Sequence, residues 1–264
     1  SFSYNCFNQW MISIIIFNLM RNDHHTIFGI NGCYAVLQSK KYKIMEILIQ
    51  SGSQAEKDGK ITHLLGYHGG HIKILPSTQF KSNFNQWRTQ GIVVRFSGRI
   101  DSDLPSYKEN KGNIGLLALD GIEDPQNFGQ IIRTSECAGI DGIIITKHSS
   151  CGITDAVLQV SQGAFTQLPI YIVNNLNQTA LQLKNEDFWI TAVENSIESK
   201  KWSEIDYSGK ILLIVGSEGR GVKKINLDNS DFQATIPMQG SINSLNISAA
   251  VSVILFERLR QLSS

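Results

Sequence analysis

From residue 115 onward the chain alternates short, unbroken apolar runs with stretches of helical periodicity, and this rhythm constrains the fold more than any single motif. Runs at 116–119, 142–146, 170–173, 189–193 and 211–215 have the length and β-branched content of buried strands. Between and after them, 127–138, 155–162, 179–184 and 249–262 read as helices. Consecutive parallel strands need a crossover, so the alternation predicts an α/β fold with a mostly parallel sheet.

Three strand ends are unusual. The run 211–215 discharges into Gly216, Ser217, Glu218, Gly219, Arg220 and Gly221. Glycines let the main chain turn tightly and approach a ligand, and the crevice beyond the carboxyl ends of such strands is the usual ligand site. A short strand at 234–238, broken by Pro237, leads through a Ser/Asn-rich loop into the last helix. A third strand, 115–121, passes through Glu123, Asp124, Pro125, Gln126, Asn127, Phe128 and Gly129 into a helix carrying Arg133. Taken singly, each loop also reads as an ordinary turn, with Ser244 or Asn246 capping the helix that follows.

Their order and spacing are more specific. N-x-G-x-x-x-R (Asn127, Gly129, Arg133), then GSEGRG (216–221), then SLNIS (244–248) resemble the three motifs of the SpoU family of RNA ribose 2'-O-methyltransferases. The likeness extends through SECAGIDGIII (135–145), SQGAFTQLPI (161–170) and IPMQGS (236–241), and covers 113–260. It implies a SPOUT α/β domain with a deep trefoil knot, S-adenosylmethionine as methyl donor, RNA as acceptor, no metal, and a homodimer. By the same resemblance the donor is held by Ala192, Val193, Glu194, Gly216, Ser217, Glu218, Gly219, Ile236, Pro237, Met238, Ser244, Leu245 and Asn246. The catalytic set it implies is Arg133, Asn127, Glu218, Ser244 and Asn246. Guanidinium stays protonated, so Arg133 is expected to orient phosphate and stabilise the developing alkoxide rather than act as a base. Asn127 would fix its turn and bond the ribose or the neighbouring loop, and Glu218 would hold either Arg133 or Asn246. Ser244 and Asn246 would position ribose or donor.

The first hundred residues read differently. A short strand or turn from Thr26, a helix at 32–39 and a strand at 44–49 are followed by a helical stretch at 61–69 and strands at 72–75 and 89–96. IFGINGCYAVL (27–37) and QGIVVRF (90–96) resemble the small L30e-like RNA-binding domain that precedes the catalytic domain in the rRNA-modifying branch of the family, with 50–70 shortened. Polar residues and Pro105 make 98–112 a flexible linker. The expected division is therefore an extension (1–26), an RNA-binding domain (27–97), the linker (98–112) and a methyltransferase domain (113–264). Residues 1–111 carry 13 Lys and Arg against 7 Asp and Glu, a net +6; residues 112–264 carry 11 against 16, a net −5. A basic excess on the RNA-reading part suits counterion release from a phosphate backbone. The branch resemblance points to a guanosine of 23S rRNA, with tRNA as the alternative target.

Other signals are weaker. The apolar run 12–17 is too short for a membrane span and lacks a signal peptide's basic flank. Met20 is a plausible start, with 1–19 upstream of it or a real amphipathic extension. Cys6, Cys33, Cys137 and Cys151 form no C-x-x-C pair, so reduced thiols in a cytoplasmic protein are expected, with Cys137 packed in the core. His68 and His71 read as a surface loop rather than metal ligands. Neither a dinucleotide-binding nor a P-loop glycine pattern occurs. The apolar face of the last helix (Val251, Ile254, Leu255, Leu259, Leu262) is expected to pair two chains.

Overall fold

The structure is a computed structural model in which residues 24–194 and 199–263 are described. Cys6, Met20 and the apolar run at 12–17 lie outside the described residues. The elements run β1 (His24–Phe28), α1 (Ile30–Gln38), β2 (Lys43–Gln50), α2 (Gln54–Lys57), α3 (Gly59–Leu65), β3 (Ile72–Leu75), α4 (Ser77–Phe84), β4 (Ile92–Ser97), β5 (Ile114–Asp120), α5 (Pro125–Cys137), β6 (Gly142–Thr146) and α6 (Asp155–Val160). They continue with β7 (Ile170–Val173), α7 (Leu176–Lys184), β8 (Trp189–Val193), β9 (Lys200–Lys201), β10 (Lys210–Gly216), α8 (Lys224–Asp228), β11 (Phe232–Thr235) and α9 (Ile247–Leu262).

Two sheets result. The first, ordered β1-β4-β2-β3, pairs β4 antiparallel with β1 and β2, and β2 parallel with β3. In the second, ordered β7-β6-β5-β10-β8-β11-β9, every pair is parallel. Its central strands are buried on both faces, which is why they read as continuous apolar runs. From β5 the chain builds outward through β6 and β7, then returns to place β8, β10 and β11 on the other side. The crevice where strand order reverses lies beyond the ends of β5, β8 and β10.

Several boundaries differ from the sequence reading. β1 begins at His24, inside the stretch assigned to the extension. β11 is Phe232–Thr235, not 234–238, because Pro237 has no N–H to give a ladder and the chain leaves the sheet before it. α5 starts two residues early, since Asp124 caps it by accepting from the N–H groups of Gln126 (3.2 Å) and Asn127 (3.0 Å), with Pro125 at the first position. α4 was not foreseen. Cys137 is exposed at the end of α5 rather than packed in the core.

The linker is not a free tether. Ser102 donates its N–H to the Ile170 carbonyl (2.8 Å) along the outer edge of β7, and Tyr107 is buried with its hydroxyl 3.2 Å from that of Tyr171. Lys210 Nζ donates to the Tyr107 carbonyl at 2.7 Å. The two sheets are docked as well. β1 is an edge strand whose outward N–H groups would otherwise be unpaired, and α6 supplies the partners. Asp155 Oδ2 accepts from the Thr26 N–H (3.2 Å), and Gln159 both accepts from the Phe28 N–H (3.0 Å) and donates to its carbonyl (2.9 Å). Phe165 packs beside Tyr42 and Phe96, so one apolar core runs continuously under both sheets. Gly163 (φ +94°) sits so close to α1 that a β-carbon there would lie 2.5 Å from that of Ala35.

Candidate active site

The carboxyl ends of β8, β10 and β11, together with loop 236–246, enclose a cavity of about 790 Å³. Of the residues expected to hold the donor, Val193, Glu194, Gly216, Ser217, Glu218, Gly219, Ile236, Met238, Ser244, Leu245 and Asn246 line it. Ala192 and Pro237 do not: the first is fully buried within β8, and the second is turned out to solvent. Val215, Gly221, Ala234, Asn243, Ile247 and Ala250 also line the cavity and were not anticipated.

Its floor is a glycine turn clamped at both ends. The Gly221 N–H donates to the Ser217 carbonyl at 3.0 Å, and Gly219 and Gly221 have φ of +84° and +66°. A β-carbon on Gly216 would lie 1.9 Å from the Gly221 carbonyl carbon, so only glycine lets this turn close. On one side, Glu194 Oε2 accepts from the Val222 N–H at 3.0 Å. On the other, the Asp120 carboxylate, wholly buried at the end of β5, accepts from the Lys223 N–H (3.0 Å) and Asn226 Nδ2 (2.7 Å) and pairs with Lys223 Nζ (2.9 Å). Asp120, Lys223 and Asn226 escaped the sequence reading because nothing local links residues about a hundred positions apart.

A cluster of three polar side chains forms one wall. Glu218 Oε1 accepts from Asn246 Nδ2 at 2.8 Å and from Asn127 Nδ2 at 3.2 Å, and Asn246 Nδ2 also reaches Asn127 Oδ1 at 2.9 Å. Asn246 is at the same time the cap of α9, accepting from the Ser248 N–H at 2.9 Å. Asn246 thus caps α9 and lines the cavity at once, and Glu218 bonds Asn246 rather than Arg133. Behind the cluster lies a second cleft of about 490 Å³, lined by Gly121, Ile122, Glu123, Asp124 and Pro125 and sharing Ser217, Glu218 and Ile247 with the first. A carboxylate–amide partition between two adjoining cavities can hold one reactant on either side of it.

The motif residues separate by role. Gly129 serves packing, since a β-carbon there would come within 2.5 Å of Val160 on α6. Arg133, two turns along α5 from Asn127, is exposed and lines neither cavity. Between them on α5, Gln130 Oε1 lies 3.0 Å from Ser248 Oγ, a contact with no sequence signal. Val251, Ile254 and Leu255, expected at a dimer contact, are buried within their own protomer, so this part of the face is intramolecular core, while Leu259 and Leu262 are half-buried. His68 Nε2 and His71 Nδ1 meet the carbonyls of Leu37 (3.2 Å) and Met45 (3.3 Å), and among the described residues no three His, Cys, Asp or Glu side chains are grouped to hold a metal. No helix among the described residues is long and apolar enough to cross a membrane.

The SpoU rRNA Methylase family matches residues 115–256, and the family described as RNA 2'-O ribose methyltransferase substrate binding matches residues 26–99. A 23S rRNA (guanosine-2'-O-)-methyltransferase, RlmB of Xylella fastidiosa, is 31% identical over 246 residues, covering 92% of this chain and 98% of that protein. Among solved structures, the SpoU methyltransferase AviRb of Streptomyces viridochromogenes, in complex with AdoMet, superposes with a TM-score of 0.76 at 19% identity over 92% of this chain and 93% of its own. An AdoMet-bound rRNA methyltransferase of Sinorhizobium meliloti gives 0.73 at 23% identity over 92% and 89%.

Proposed function

Because the chain belongs to the SpoU rRNA methylase family, we propose that it transfers a methyl group from S-adenosylmethionine to the ribose 2'-hydroxyl of a guanosine in 23S rRNA. The observation that carries this reading is the Asn127–Glu218–Asn246 cluster, which stands between two adjoining cavities large enough for a donor and an acceptor nucleoside. When bound, S-adenosylmethionine supplies an electrophilic methyl on a sulfonium centre. The chain's part is to hold donor and acceptor in line and keep the hydroxyl oxygen on the partition between them.

The larger cavity fits the donor. Its glycine turn brings main chain where a side chain would intrude, Ile236, Leu245 and Val193 offer apolar contact to an adenine, and Glu194 and Ser244 offer polar groups to the hydroxyls and the amine. Glu218 lines both cavities and fixes both amides, and its carboxylate would offer negative charge to a sulfonium donor. Asn127, 8% exposed, presents its amide to the smaller cleft, where the ribose belongs. Arg133 then orients an RNA phosphate and stabilises the oxygen as its charge develops. Its place outside both cavities of its own protomer favours action in the site of a second copy, in a homodimer. Ile242, Leu245 and Phe256, exposed large apolar residues on loop 236–246 and α9, supply a contact surface for it.

Residues 27–97 act as the RNA-binding part and 113–264 as the transferase, in the cytoplasm, with α9 drawn through the preceding loop as a trefoil knot. The 23S target rests on the relative from Xylella and on the +6 charge of the first 111 residues. Mapping ribose methylation in rRNA and tRNA from cells with and without the gene tests it. Loss of one 23S guanosine mark is expected; loss of a tRNA mark with rRNA unchanged would replace this target.

A further inference from the structure

The sheet β1-β4-β2-β3 buries one face under α1 and α3, and α4 lies on the other. On that second face, Leu48, Val93 and Phe80 form a small core of their own, onto which Phe28 and Phe84 pack. Trp87 closes the row. Its ring stacks on Phe28 (centroids 4.8 Å apart, planes 16° apart) and meets Phe84 at 5.4 Å, yet the residue remains 41% exposed.

An indole packed on one side and open on the other borders a cleft of about 520 Å³. Lys81 and Arg88 line this cleft and no carboxylate does. The segment 76–91, which supplies most of the lining, holds no Asp or Glu at all. Exposed amides of Gln54 and Asn85 complete the wall. A flat aromatic face serves any base, amides offer both donor and acceptor to a base edge, and two cations serve phosphates.

We propose that this cleft is a second RNA subsite, resting on the reading of the chain as an RNA methyltransferase, in which one unpaired base stacks on Trp87 while Lys81 and Arg88 hold the flanking phosphates. The cleft shares no lining residue with either cavity of the candidate active site, so the nucleotide it takes is distinct from the one that is methylated. The docked linker and the β1–α6 hydrogen bonds fix the separation between the two. The subsite therefore contributes to which RNA is bound, and leaves the donor cavity alone.

The test is binding of the full chain to a labelled 23S rRNA transcript, read by anisotropy over a range of salt, beside calorimetric titration with S-adenosylmethionine. Trp87→Ala should weaken RNA binding about ten-fold, with donor affinity unchanged and Trp87→Phe restoring most of the loss. Lys81→Ala with Arg88→Ala should weaken it too, and reduce the slope of log affinity against log salt by about two. If Trp87→Ala fails to fold, the double cation variant decides. RNA affinity within two-fold of the parent in a folded Trp87→Ala, or an unchanged salt slope in the cation variant, overturns the subsite. A parent chain that does not bind the transcript overturns the 23S rRNA target of the proposed function, and the subsite with it.

Discussion

Asn246 and Glu218, twenty-eight residues apart in the chain, meet through a 2.8 Å hydrogen bond from Nδ2 to Oε1. That bond ties the cap of α9 to the turn after β10, and Asn127 joins it from α5. Three loops are thereby registered by one carboxylate. Glu218→Ala leaves two amides without their shared acceptor, and each change in the trio should be felt by the others. Asn246→Ala and Glu218→Ala are each expected to weaken S-adenosylmethionine binding and turnover, and their double variant to fall short of additivity by about 1 kcal/mol. Strict additivity in a calorimetric double-mutant cycle would mean that the cluster does not work as a unit.

Gly216→Ala probes the donor cradle. The new methyl would meet the Gly221 carbonyl carbon, which is backbone and cannot rotate aside, so the turn must open. Donor affinity should drop at least about ten-fold, which at about 1.4 kcal/mol is a modest share of such a steric conflict. Unchanged affinity by calorimetry would place the donor elsewhere.

The strands of the parallel sheet were legible because two-sided burial leaves no polar alternation to confuse them, as in Ile143–Ile144–Ile145 and Leu212–Leu213–Ile214. α4 was not: STQFKSNF carries only Phe80 and Phe84 as apolar residues, a single i,i+4 pair. Periodicity found the apolar face of α9 but could not say what covers it, and Val251, Ile254 and Leu255 turn out to cover the molecule's own core. Motif spacing singled out Asn127, Glu218 and Asn246, and the fold brings the three side chains into contact. Spacing was blind to Asp120, whose partners Lys223 and Asn226 arrive only when β10 lies down beside β5.

The docking of the two sheets sets a cooperativity. Gln159 satisfies both the N–H and the carbonyl of Phe28 where α6 meets β1. The parent should unfold in one calorimetric transition. Gln159→Ala should cost on the order of 1–3 kcal/mol and split that transition into two. Two transitions already present in the parent would mean that the sheets move independently.

Acid should loosen the end of α9. Hydrogen bonds from Arg260 (2.8 and 2.9 Å) and Gln261 (2.9 Å) hold the Glu257 carboxyl down to about 2 from its ordinary 4.5. Gln261 also binds the Tyr207 N–H and the Ile205 carbonyl, so the pair braces the helix against the segment before β10. A lowered folded-state pKa gives stability that is complete above 4.5 and disappears as the pH falls toward 2. Because Arg260 is largely in water, solvent screening leaves only a small part of the Coulombic figure. Glu257→Gln should lower Tm at pH 7 and flatten its fall between pH 4.5 and 2; an unaltered acid profile would assign that fall to other carboxylates.

Arg133 offers the sharpest test of how the site is completed. Arg133→Ala should reduce turnover by about 10²–10³ with donor affinity intact, since the side chain touches neither cavity of its own protomer. Mixing it with Gly216→Ala, whose donor cradle is lost but whose Arg133 is present, separates the two possible geometries. If each arginine serves its partner, a mixed dimer rebuilds one complete site from the intact cradle of one chain and the intact arginine of the other. With S-adenosylmethionine held below the Kd of Gly216→Ala, random exchange at equal concentrations then restores roughly a quarter of parental activity from two impaired proteins. If each arginine serves its own chain, every site in the mixture lacks either cradle or arginine, and methyl transfer to the transcript stays at background at every mixing ratio.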